Sequence, residues 1–86
     1  MELERLVGSN PALALARIAE ADRREGKATE ARAALQIQAL VALQRMGQAH
    51  AKLQQFYERY QDSSQLPALE RRTGYHPRPM SRLHRR

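Results

Sequence analysis

Apolar positions recur along this chain at helical spacing, and the first clear run is Ala14, Ile18 and Ala21 with Leu15 beside them. Asn10 is a natural N-cap and Pro11 suits the first helical position. Asp22, Arg23, Arg24 and Glu25 make the far end wet, and Gly26 is a ready C-cap. The pattern predicts a helix over residues 11–25. Upstream, Leu3, Leu6 and Val7 are spaced for one or two helical turns, closed by the break Gly8-Ser9-Asn10-Pro11.

Thr29 caps the next helix, and Glu30 favours its dipole. No Pro or Gly follows until Gly47, and one internal Gly costs about 1 kcal/mol without ending a helix. The pattern runs on to Asp62, where Ser63 and Ser64 stop it. A helix over residues 29–62 has a length of roughly 50 Å, against the ~10–14 residues of an ordinary globular helix. The link between the two helices is short, so they are expected to fold back as an antiparallel hairpin. The shorter helix covers the longer one only to about residue 44. Further on, Pro67 opens and Gly74 closes a short helical turn, and Pro77 and Pro79 favour an extended chain. The predicted fold class is all-α: a hairpin module over residues 1–64, then residues 65–86 as a short helix and an extended basic arm.

Along the long helix, Leu35, Ala39, Ala42, Met46, Ala49, Leu53, Phe56 and Tyr60 fall on a heptad a/d seam. The second half of that seam extends beyond the reach of the first helix. It is expected to pack on another chain, the competing expectation being that the short C-terminal helix folds back over it. Residues 33–43 are greasy on several sides, with Ile37, Leu40, Val41 and Leu43 lying off the seam. Helices of that kind are normally surrounded. The expected oligomer or partner interface is therefore Leu35, Ile37, Leu40, Met46, Leu53, Phe56 and Tyr60. Gln36, Gln38, Gln44 and Gln48 fit either a solvated helix or a helix among neighbouring subunits.

Composition strengthens the expectation of a partner. Of the 86 residues 42% are hydrophobic, but fourteen of these are alanine, which buries little surface. There is no cysteine to staple so thin a core. No apolar run is long enough to span a bilayer. Met1-Glu-Leu-Glu-Arg5 lacks the basic start and apolar core of a signal peptide, so a cytoplasmic location or one inside a larger assembly is expected.

Charge divides the chain. Residues 1–70 hold nine Lys or Arg and nine Asp or Glu, while residues 71–86 hold six Arg and no acid, which accounts for the whole net charge of +6. Arg71, Arg72, Arg78, Arg82, Arg85 and Arg86 each suit a phosphate or a carboxylate. Tyr75 and His76 offer rings that stack on a base. The arm is expected to be unstructured alone and to order on binding. Catalysis has little to rest on: no cysteine nucleophile, no glycine-rich phosphate loop, and histidines without metal-ligand spacing. His50 reads as an ordinary surface or interface residue.

No enzymatic activity, cofactor, metal or small-molecule substrate is expected. The leading expectation is a structural or adaptor protein that assembles through the long helix and anchors to a neighbouring macromolecule with its arginine arm. A phage virion or a bacterial secretion or conjugation assembly suits such a chain. One rival is a small nucleic-acid-binding protein with a dimeric hairpin and a phosphate-binding arm. Another is a helical chaperone or an inhibitor of a host protein.

Overall fold

The computed structural model describes residues 2–78. Among them the chain forms five α-helices and no strand: α1 Glu2–Ser9, α2 Pro11–Glu25, α3 Glu30–Ala42, α4 Met46–Arg59 and α5 Leu66–Thr73. Local chemistry sets most of the boundaries. The Leu13 amide donates to Asn10 Oδ1 at 3.2 Å and the Arg32 amide to Thr29 Oγ1 at 3.2 Å, so both N-caps form. Each is worth about 1 kcal/mol. Gly26 and Gly74 adopt the left-handed conformation, with φ of 73° and 72°, and end α2 and α5.

The continuous helix expected over residues 29–62 is not formed. The chain turns at residues 43–45, between α3 and α4, and Gln44 carries a positive φ of 62°. The Gln44 amide donates to the Val41 carbonyl and the Arg45 amide to the Leu40 carbonyl, both at 2.9 Å. That pair of bonds is the Schellman motif, with Gln in the position where Gly is usual. A left-handed non-glycine residue costs about 1–2 kcal/mol. Folding α4 back on α3 encloses Leu53 and Phe56, each worth about 1.5–3 kcal/mol, so packing outweighs the strained turn. The expected hairpin of one short and one long helix is replaced by five short helices. The long axis of the molecule is 44 Å, less than the roughly 50 Å of the expected rod.

Helix α3 lies at the centre. One side, through Leu35 and Ala39, joins Val7, Ala14 and Ile18 of α1 and α2. The other side, through Ala34, Ile37 and Leu40, joins Ala49, Leu53 and Phe56 of α4 and Leu66 and Leu69 of α5. A helix greasy all round is indeed surrounded, but by its own chain. Leu35, Ile37, Leu40, Leu53 and Phe56 of the expected interface are buried within the fold, while Met46 and Tyr60 are half-buried. The expected interface is internal because the heptad seam is two separate stripes, one on α3 and one on α4, that are in phase in the sequence on either side of the turn. The competing expectation, that the short C-terminal helix folds back over the second half of the seam, is what forms: Leu66 and Leu69 of α5 belong to the same core as Leu53 and Phe56. Among the described residues Leu13 is the only exposed large hydrophobic side chain, at 37%. None of the described helices is long and apolar enough to cross a membrane.

Candidate functional site

The expected binding arm begins inside the folded body. Arg71 and Arg72 are exposed in the last turn of α5. Beyond Gly74 the chain is docked against α4 rather than free. Tyr75 stacks on His50, with ring centroids 5.0 Å apart and planes inclined by 19°. Its hydroxyl donates to Gln54 Oε1 at 2.8 Å. His50 Nε2–H donates to the Thr73 carbonyl at 3.0 Å, which sets its tautomer. Buried Thr73 accepts the Tyr75 amide on its hydroxyl, which donates to the Leu69 carbonyl at 2.8 Å.

Gln54 organises this seat. Its Nε2 donates to the Arg78 carbonyl at 2.8 Å, and its Oε1 accepts the Arg78 amide at 3.1 Å. The second Nε2 proton goes to Glu58 Oε2 at 3.0 Å, and the second Oε1 lone pair takes the Tyr75 hydroxyl. Two donors and two lone pairs are all a carboxamide has, so Gln54 is saturated. The backbone of Arg78 is thus held at both its amide and its carbonyl while its side chain stays exposed. Nearby, His76 Nδ1–H donates to Glu70 Oε1 at 3.2 Å. Two expectations change here. Tyr75 and Arg78 are held against α4 by the chain itself rather than left free, and Tyr75 is engaged by His50 and Gln54 rather than presented to a base. Arg82, Arg85 and Arg86 lie outside the described residues. Gln54 was missed by sequence reasoning: a glutamine within a helix carries no signal of what folds against it.

A second feature lies elsewhere on α4. Helices α2 and α4 both pack on α3, leaving a cleft between them. Its wider part, about 430 Å³, has Leu40 and Gln36 as floor, Leu15 and Ala19 of α2 as one wall, and Ala51 and Lys52 of α4, with Arg45 at its N-cap, as the other. It continues past Gln36 and Lys52 toward Phe56, Arg59 and Asp22. Lys52 and Arg59 lie seven residues apart and so share one face of α4, and Arg45, at the N-cap of that helix, lines the cleft with Lys52. Arg45 and Arg59 are exposed, and the Arg59 guanidinium lies 5.6 Å from the centre of the Tyr60 ring.

Asp22 does not offset this charge, because Arg32 holds it. The Arg32 Nε donates to Asp22 Oδ1 at 2.6 Å, and its Nη2 donates to Glu25 Oε1 at 2.8 Å and to the Lys27 carbonyl at 3.2 Å. The hydrogen bond and charge of Arg32 hold the Glu25 carboxyl below its ordinary value, and the two carboxylates raise the guanidinium above its own. This cluster locks the α2–α3 turn. Among the described residues no three His, Asp or Glu side chains converge on a point. Compared with protein-family models, with curated proteins and with solved structures, the chain matches none.

Proposed function

We propose that this chain is a small, non-enzymatic adaptor whose helical body presents an arginine-rich C-terminal arm to an acidic protein surface. The observation that carries the reading is the clamp of Gln54 on the Arg78 backbone, with Tyr75 seated on His50. A chain fixed at its root delivers Arg71, Arg72 and Arg78 from one corner of the body, and Arg82, Arg85 and Arg86 follow from that anchored point. Less conformational freedom is then lost when the arm binds. Guanidinium forks suit carboxylates, and an acidic surface needs nothing more from the arm.

An acidic protein is favoured over nucleic acid by the state of Tyr75. Its ring is stacked and its hydroxyl bonded within the chain, so it is not presented to an unpaired base as sequence-tolerant single-strand binding requires. The test compares the full chain with a variant carrying Gln at Arg71, Arg72, Arg78, Arg82, Arg85 and Arg86. Fluorescence anisotropy is read on a polyglutamate peptide and on a single-stranded oligonucleotide at matched salt. The reading expects polyglutamate to bind the full chain at least about tenfold more tightly than the neutralised one, as several exposed ion pairs together provide. Equal binding by the two chains would overturn the arm as the site. Tighter binding of the oligonucleotide than of polyglutamate would transfer the arm to the nucleic-acid reading.

A further inference from the structure

We infer that the cleft between α2 and α4 receives an amphipathic helix of a partner protein, apolar on one face and acidic along one edge. This goes beyond the arm and does not depend on it. Successive residues turn about 100° around a helix, so Gln54, two positions from Lys52, sits on roughly the opposite side of α4 from the cleft wall.

Shape, charge and register all point to that occupant. The α2 wall is apolar, with Leu15 and Ala19, and the floor joins Leu40 to Gln36, while the small side chains of Ala19 and Ala51 let a backbone approach closely. The α4 wall carries Arg45, Lys52 and Arg59 at heptad spacing. Along a helix seven residues advance about 10 Å, so glutamates at heptad spacing on a helix lying beside α4 would meet each cation in turn. From Arg45 to Arg59 the wall runs about 21 Å, which matches a helix of about four turns.

The other candidate occupants fit less well. The arm of this chain carries six arginines and no acid, so the cationic wall repels it. A second copy presents few uncommitted acids, since Asp22 and Glu25 are held by Arg32 and Glu20 pairs with Arg24. No two acids of the chain lie seven residues apart, so a second copy offers no heptad-spaced edge of carboxylates. A foreign acidic helix remains.

The test uses the full chain and a synthetic helical peptide of about four turns, with leucines on one face and glutamates at heptad spacing beside them. A second peptide has lysine at the glutamate positions. Binding is followed by fluorescence anisotropy and located by amide chemical shifts. The expected result is saturable binding of the acidic peptide, with shifts at Ala19, Gln48 and Ala51. The lysine peptide is not bound. Reversal of Arg45, Lys52 and Arg59 to Glu weakens the acidic peptide by at least about tenfold. A separate variant, Ala19→Trp, fills the cleft from an exposed position without entering the core and blocks the peptide. Circular dichroism shows whether each variant keeps its helices. Undiminished binding to both variants, or shifts confined to Arg71, Arg72 and Arg78, would overturn the cleft as the site, the latter while supporting the arm. Tighter binding of a single-stranded oligonucleotide to the cleft would overturn the peptide assignment.

Discussion

The Ser63 hydroxyl donates to the Glu30 carboxylate at 2.5 Å. On one unbroken helix these two residues would lie about 50 Å apart. Their contact ties the start of α3 to the turn that follows α4, which is possible only because the chain reverses near Gln44. Ser63 Oγ also accepts the Gln65 amide and so shapes the entry to α5. Ser63→Ala should lower the stability by about 1–2 kcal/mol, as expected for a hydrogen bond to a charged group, measured by urea unfolding.

The turn itself gives a test by sign. Gln44 holds a left-handed conformation that glycine adopts at no steric cost. Gln44→Gly should therefore leave the protein as stable as before or more stable, by up to about 1 kcal/mol. In the interior of a continuous helix the same change costs about 0.5–1 kcal/mol. The two structures give opposite directions in one denaturant titration.

Leu53 is completely buried between α3, α4 and α5. Leu53→Ala should cost about 2–5 kcal/mol in a monomer. Because the site lies inside one chain, the loss should not vary with protein concentration. A midpoint that rises with concentration in the parent protein would restore the intermolecular seam.

The seat of the arm has its own observable. With Gln54 intact, the Arg78 amide is bonded to Oε1 and should exchange with solvent more slowly than an exposed amide. Gln54→Ala should abolish that protection while leaving the amides of α3 unchanged, read by hydrogen exchange with NMR detection.

Acid should loosen the α2–α3 turn. Glu25 has its carboxyl pKa lowered in the fold, first by the hydrogen bond from Arg32 and then by its charge. A group of that kind stabilises the fold above its unfolded pKa, and the contribution is lost as pH falls through the folded value. Glu25→Gln should flatten the acid limb of the stability profile below about pH 4.5, and added salt should shrink the difference, since the pair is exposed.

Much of the architecture was legible because it is local. Asn10, Pro11, Thr29, Gly26 and Gly74 act within a turn of their own position, and each marks a helix end that the structure contains. The turn at Gln44 was not legible, because neither Gly nor Pro marks it and its cause is the burial of Leu53, Phe56, Leu66 and Leu69 far along the chain. The heptad then misled for a physical reason: the stripes of α3 and α4 stay in phase across residues 43–45. The cleft was hidden in the same way. Arg45 and Lys52 line it only because α2 and α4 pack on either side of α3, which nothing in their own neighbourhood of the chain signals. The arm was legible in its charge but not in its anchor, since Gln54 takes that role only through Tyr75 and Arg78, which lie 21 and 24 residues away.

The chain closes its own seam by reversing near Gln44. Because it has no cysteine, Ala31→Cys and Asp62→Cys place two spin labels at exposed sites, one beside Glu30 and the other beside Ser63. Pulsed electron–electron double resonance on the dilute doubly labelled protein then reads their separation. The account requires a distribution centred far below the ~46 Å of an unbroken helix. A single peak near ~46 Å would contradict it and return Leu53 and Phe56 to an interface between chains.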